Sequence, residues 1–140
     1  MPTDNGQPQP AGGLPASFDR EFQLWRYNLS HSELKLRSFG RASTRDFIEV
    51  TFYGVIGMKL KSAYRSLTIS SAEPTQVDEI LRFSEVRESD FSRFRCLALK
   101  SDSGDGLVAC LSYSVWSHSK DSDHDAVGAG NPDSVLILRG

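Results

Sequence analysis

The chain has 140 residues, 39% hydrophobic and 24% charged, with 16 Lys+Arg against 18 Asp+Glu for a formal net charge of −2. That length suits one domain with its own core and excludes a chain that needs metals or disulfides to fold. The balance of charge excludes a strongly basic nucleic-acid binder and a wholly disordered acidic chain.

Residues 1–16 carry Pro2, Pro8, Pro10 and Pro15 among Gly6, Gly12 and Gly13. Such a composition predicts a flexible tail, leaving residues 17–140 as a single β-rich domain. The tail has no basic start followed by an apolar run, so it does not read as a signal peptide. No apolar stretch approaches the ~20 residues of a membrane-spanning helix. The expectation is a soluble, cytoplasmic protein with no membrane partner.

From Phe22 to Ser38, aromatic and apolar residues recur at near-alternating positions, interrupted at Ser30-His31-Ser32. This predicts two consecutive strands, the second with Leu34 and Leu36 inward and Glu33, Lys35 and Arg37 outward. Residues 39–45 read as a loop. Asp46 to Tyr53 carries the strongest strand signal, with Ile48, Val50 and Phe52 alternating against Glu49, Thr51 and Tyr53. Gly54 and Gly57 mark a turn or close approach before a short strand over 55–61. Leu67-Thr68-Ile69 is another short strand. Val77, Ile80, Leu81 and Phe83 follow helical spacing behind Pro74, which predicts one short helix over about 74–83. Residues 84–92 read as a loop. Residues 94–100 and 107–116 form the clearest hairpin, around Ser101-Asp102-Ser103-Gly104-Asp105-Gly106. Both of its faces are apolar, so it should be central and covered on both sides. Residues 117–131 read as a polar loop, and Val135 to Leu138 as a closing strand. The sum is an α+β, mostly-β fold: an antiparallel meander or small sandwich of about six to eight strands with one short helix.

Cys96 and Cys110 flank the hairpin turn. With Ser103 at the turn centre they would lie opposite each other, and a disulfide would be geometrically conceivable. In a reducing cytoplasm both should pack as free thiols.

Phosphate-binding glycine loops, a G-x-S-x-G elbow, H-E-x-x-H and paired C-x-x-C are all absent from the sequence. No cofactor is expected. Three constellations stand out. Asp121, Asp123 and Asp125 alternate as hard-cation ligands do, but Ala126 stands where a Ca²⁺ loop wants glycine and Pro132 where it wants glutamate. His31 and His118 each sit between serines behind an aromatic-rich strand, and with His124 they would make a zinc or acid–base set if the strands converged. A solvated acidic loop and locally hydrogen-bonded histidines are the simpler expectations. Third, residues 20–65 hold nine Lys/Arg against four Asp/Glu, and residues 66–140 seven against twelve. A basic face (Arg26, Lys35, Arg37, Arg41, Arg45, Lys59, Lys61, Arg65) with Trp25, Tyr27 and Tyr53 could take single-stranded nucleic acid. Electrostatic complementarity between the two halves of the chain accounts for the asymmetry more simply.

The run Trp25-Arg26-Tyr27-Asn28-Leu29-Ser30-His31-Ser32-Glu33-Leu34-Lys35-Leu36-Arg37-Ser38, followed by Ile48-Glu49-Val50-Thr51-Phe52-Tyr53-Gly54-Val55, resembles a group of small bacterial proteins of unknown function. Their pattern is W-x-Y-x-V-S-H-S/G-x-L-L-L-R-S, then I-x-V-x-F-x-G-V and a later G-L-x-I strand. Leu29 stands here for the usual valine, Lys35 for leucine and Ser66 for glycine. The resemblance spans about Phe22 to Ile69. It implies a compact β-rich bacterial domain, supplies no activity, and includes His31 and Arg37 in the matching run.

The leading expectation is therefore a bacterial cytoplasmic domain that acts by binding a protein partner, in an accessory or immunity-type role. Trp25, Tyr27, Arg37, Tyr53 and Trp116 are its candidate binding surface. A metal- or histidine-dependent enzyme using His31, His118 and the aspartate loop is the first alternative. A single-strand nucleic-acid binder is the second.

Overall fold

Alternating sequence becomes pleated strand through most of the chain. A computed structural model describes residues 13–39, 46–102, 104–119 and 134–140. Among them run β1 (Ala16–Phe18), β2 (Phe22–Asn28), β3 (Glu33–Phe39), β4 (Asp46–Tyr53), β5 (Gly57–Lys59), β6 (Ala63–Tyr64), β7 (Leu67–Ser71), α1 (Pro74–Phe83), β8 (Arg95–Lys100), β9 (Gly106–Cys110), β10 (Ser112–Ser119) and β11 (Ser134–Arg139). A 3₁₀ segment, Glu88–Arg93, precedes β8. The strands form a five-stranded sheet, β1-β7-β8-β9-β5, and a six-stranded sheet, β11-β10-β4-β3-β2-β6, with antiparallel neighbours throughout. This is the predicted mostly-β α+β sandwich. No helix is long and apolar enough to cross a membrane among the described residues.

The strand count exceeds the sequence expectation for identifiable reasons. β1 and β6 have three and two residues, too few for alternation to register. Ala16, placed in the tail by composition, opens β1 and faces Ile69. The single strand expected over 107–116 is two strands in different sheets, parted at Leu111.

Alternation sorts the side chains into layers. Leu34, Leu36, Ile48, Val50 and Phe52 of the six-stranded sheet meet Leu67, Ile69, Leu97, Leu99, Val108 and Cys110 of the other in one buried cluster. Truncating any of these large aliphatic side chains to alanine would cost about 2–5 kcal/mol. The opposite face of β8 and β9 carries Ala98, Leu107 and Ala109, which pack with Ile80 and Leu81 of α1. The β8–β9 hairpin is thus covered on both sides, and β9 is buried at every residue.

The helix begins where the sequence places it. Pro74 occupies the first turn, Glu73 and Gln76 cap it reciprocally, and the Glu73 N–H donates to Gln76 Oε1 at 2.9 Å. Its close approach to β5 depends on Gly57, where an added Cβ would sit 1.7 Å from Ser84 Oγ. Phe83 turns outward instead of joining the apolar face; its ring lies 4.6 Å from Lys59 Nζ.

The cysteines are not opposite one another. Arg95 faces Cys110 and Cys96 faces Ala109, a register one step from that of a turn centred on Ser103. One step moves a residue to the other face of a strand. Cys110 therefore points into the inter-sheet core and Cys96 packs on the helix side, both as free thiols. Burial pushes the Cys110 thiol from its ordinary 9.0 up to about 12, and raises Cys96 as well.

Candidate binding site

The outward face of the six-stranded sheet carries the polar chemistry. Register aligns Gln23, Arg37, Glu49, Trp116 and Leu136 in one row across five strands. The adjacent row is Arg26, Lys35, Thr51, Ser114 and Arg139. On β3, β4 and β10 these residues share a face by alternation; on β2 and β11, where they are three apart, a bulge in each strand brings them onto it.

Toward β3, the face holds a buried ionic cluster. Arg37 and Glu49 are 3% and 1% exposed, so each charge needs a partner. Arg37 donates from Nε to Glu49 Oε2 at 2.8 Å and from Nη2 to the same oxygen, while Lys35 Nζ sits 3.1 Å from Oε1. The guanidinium lies between two rings, 4.6 Å from the centroids of both Trp25 and Phe47. Phe47 in turn packs 5.0 Å from the ring of His118. This arrangement fixes side chains and buries charge.

Toward β11, the face is concave. A cavity of about 550 Å³ lies over β4, β10 and β11, within the ~300–1,000 Å³ range of ligand pockets. Tyr53, Trp116 and Leu136 supply its apolar lining, and Arg95 and Arg139 its charge. Neither arginine forms an ion pair with an acidic side chain among the described residues. The aromatic groups are positioned by hydrogen bonds: Trp116 Nε1 donates to Ser114 Oγ at 3.0 Å, and Tyr53 Oη and Ser114 Oγ share a hydrogen 3.0 Å apart. Tyr113 lines the same cavity; burial raises its phenol, and Arg95 partly offsets this.

The residues singled out from sequence divide between these two zones. Trp25 and Arg37 belong to the ionic cluster, and Tyr53 and Trp116 to the concavity. Tyr27 is half-buried against the core and joins neither. His118 is 1% exposed, with Nδ1 2.6 Å from Ser134 Oγ. His31 lies in the exposed turn between β2 and β3. The structure does not bring these histidines together. His118 is level with Phe47 and Phe39, five residues along β3 from Leu34, and His31 lies beyond that end. At about 3.3 Å per residue they stand at least ~17 Å apart. Asp121, Asp123, Asp125 and His124 lie outside the described residues, and among the described residues no group of three or more His, Cys, Asp or Glu could hold a metal.

The basic residues do not form one open face either. Lys35 and Arg37 engage Glu49, and Lys59 belongs to the other sheet, 2.9 Å from Glu79. Arg41 and Arg45 lie outside the described residues. Lys59–Glu79 joins the basic and acidic halves of the chain, whereas Arg37–Glu49 and Arg82 with Asp78 and Glu88 close within one half.

Sequence reasoning missed Glu49, Ser114, Leu136, Arg95 and Arg139 as site residues. For four of them the signal is register, which places Glu49 and Leu136 beside Trp116 and Arg139 beside Ser114, whereas Arg95 reaches the cavity from β8 of the other sheet. Comparison of the chain with protein-family models, curated proteins and solved structures finds no match in any of the three.

Proposed function

We propose that this chain is a bacterial cytoplasmic binding domain, accessory or immunity-type in role, whose ligand is a protein partner docking over β4, β10 and β11. The observation that carries this reading is the concavity itself. It places Trp116, Tyr53 and Arg139 of the six-stranded sheet and Arg95 of β8, residue types enriched in interface hot spots, around one pocket. A sheet surface with positioned aromatic side chains suits recognition, because little ordering entropy is lost when a partner lands. The separation of His31 from His118 takes away the geometry that the histidine-dependent alternative needs.

The test is affinity capture from the native host, followed by titration of the purified partner. Trp116→Ala is expected to weaken binding at least tenfold while thermal denaturation confirms that the variant folds. Leu136→Asp is expected to do the same. Unchanged affinity in both variants, or a turnover assay that succeeds where no partner is recovered, would overturn the reading.

A further inference from the structure

We propose that the docking element is an extended acidic segment of the partner, which adds as a strand to the outer edge of β11 along Val135–Arg139 and sets a carboxylate against Arg95 and Arg139. This rests on the binding reading above and specifies its ligand.

β11 ends the six-stranded sheet and pairs only with β10 among the described residues. Exposed edges are usually blunted by charge, proline, bulges or shortness. β11 has six residues and a bulge at Ile137, where its pairing with β10 passes from Leu138 to Leu136, yet Val135-Leu136-Ile137-Leu138 carries no charge before Arg139. Val135 is 64% exposed. Such an edge offers backbone donors and acceptors to an extended peptide, with alternate side chains selecting the sequence. On an added strand those side chains would lie beside Leu136 and Arg139, over the concavity.

The chemistry of the concavity then selects the charge. Its lining includes two arginines and no acidic residue. The Trp116–Ser114–Tyr53 chain holds three polar hydrogens and uses two in its own bonds, so one hydroxyl hydrogen remains to donate outward. Two guanidinium groups and a hydroxyl donor suit a carboxylate on an apolar backbone. A strand edge pairs with a peptide backbone, which a nucleic acid lacks, so the protein occupant is favoured.

The test uses the full ¹⁵N-labelled chain and three hexapeptides: one alternating leucine and glutamate, one with glutamine for glutamate, one with lysine. The glutamate peptide is expected to shift the Trp116 indole N–H and the backbone amides of β11. It should bind about tenfold more tightly than the glutamine peptide, with no binding of the lysine peptide. In an Arg95→Ala/Arg139→Ala variant the glutamate and glutamine peptides should bind equally. Equal binding in the unmodified chain overturns the inference and leaves the docking site standing. No shift with any peptide overturns it too, and the Trp116→Ala and Leu136→Asp titrations judge the binding reading separately. The same shifts from acetate alone, or from a ten-residue oligothymidine, would overturn it in favour of a small-anion or nucleic-acid site.

Discussion

Glu49 is the residue on which the outward face of the six-stranded sheet depends. It lies on the strand of strongest alternation, at a position that would ordinarily face water, yet it is 1% exposed and engages both Arg37 and Lys35. Replacing a buried pair by well-packed apolar residues is often neutral or stabilising, but breaking it by removing one partner is costly. Glu49→Ala should therefore lower the unfolding free energy by about 3–5 kcal/mol. The double replacement Arg37→Met/Glu49→Leu should recover most of that loss, since the buried guanidinium and carboxylate go together and Lys35, 25% exposed, can turn its ammonium to water. Urea denaturation of the three proteins checks this; a cost below about 1 kcal/mol for Glu49→Ala would place the pair with exposed surface bridges. Neither partner was legible as a pair from sequence, because Arg37 meets Glu49 only through the β3–β4 register. Alternation revealed that both point outward. It carried no information about what covers them.

At the scale of elements, the end of α1 shows how local chemistry departs from the optimum. Val86 N–H donates to Leu81 O and Glu85 N–H to Arg82 O, both at 3.0 Å, which closes a Schellman motif. The residue after the cap must then be left-handed, and Glu85 has φ 61° there, a position that glycine occupies without steric cost. Glu85→Gly should stabilise the protein by about 0.5–1 kcal/mol, read as a higher thermal midpoint, and Glu85→Ala should not. The helix itself was readable because Pro74 and the spacing of Val77, Ile80 and Leu81 agree. The division of 107–116 was not. Leu107 to Trp116 keeps its apolar character across Leu111, and only the neighbouring strands reveal that β9 pairs with β8 while β10 pairs with β4. The conditional pairing of the cysteines failed for a related reason: a turn centre half a residue away from Ser103 sets Cys96 opposite Ala109 and sends the two thiols into different layers. In the concavity, Tyr53 and Trp116 were recognisable by type. Arg95 and Arg139 were not, since their significance comes from strands brought together across the fold.

For the whole molecule, burial sets a common direction of pH dependence. Cys110, Cys96, Tyr64 and Tyr113 all have proton affinities raised chiefly by burial. Each is neutral when protonated, so the folded state holds its proton to higher pH than the unfolded chain does. Their contribution is complete below the unfolded values and is lost as pH rises, for Cys110 between about 9 and about 12. Stability from these groups should be level through neutral pH and fall above about pH 9. Cys110→Ala should reduce the alkaline slope by at most about 1.4 kcal/mol per pH unit. Chemical denaturation between pH 7 and 10.5 compares the two; superimposable slopes would mean that the buried thiol does not contribute.

The passage between sheets has a further consequence. The chain leaves the six-stranded sheet after Tyr53, touches it again only at the two-residue β6, and re-enters it for good after Leu111, and the crossings at Tyr53 and Leu111 touch: Leu111 N–H donates to Tyr53 O at 2.9 Å. Gly54 has φ 64°, and a Cβ there would stand 2.7 Å from Leu111 Cδ1. A side chain at 54 thus demands both a left-handed backbone and a smaller neighbour at 111. The two positions, distant along the chain, are thereby coupled through space, while the left-handed backbone favours glycine at 54 whatever stands at 111.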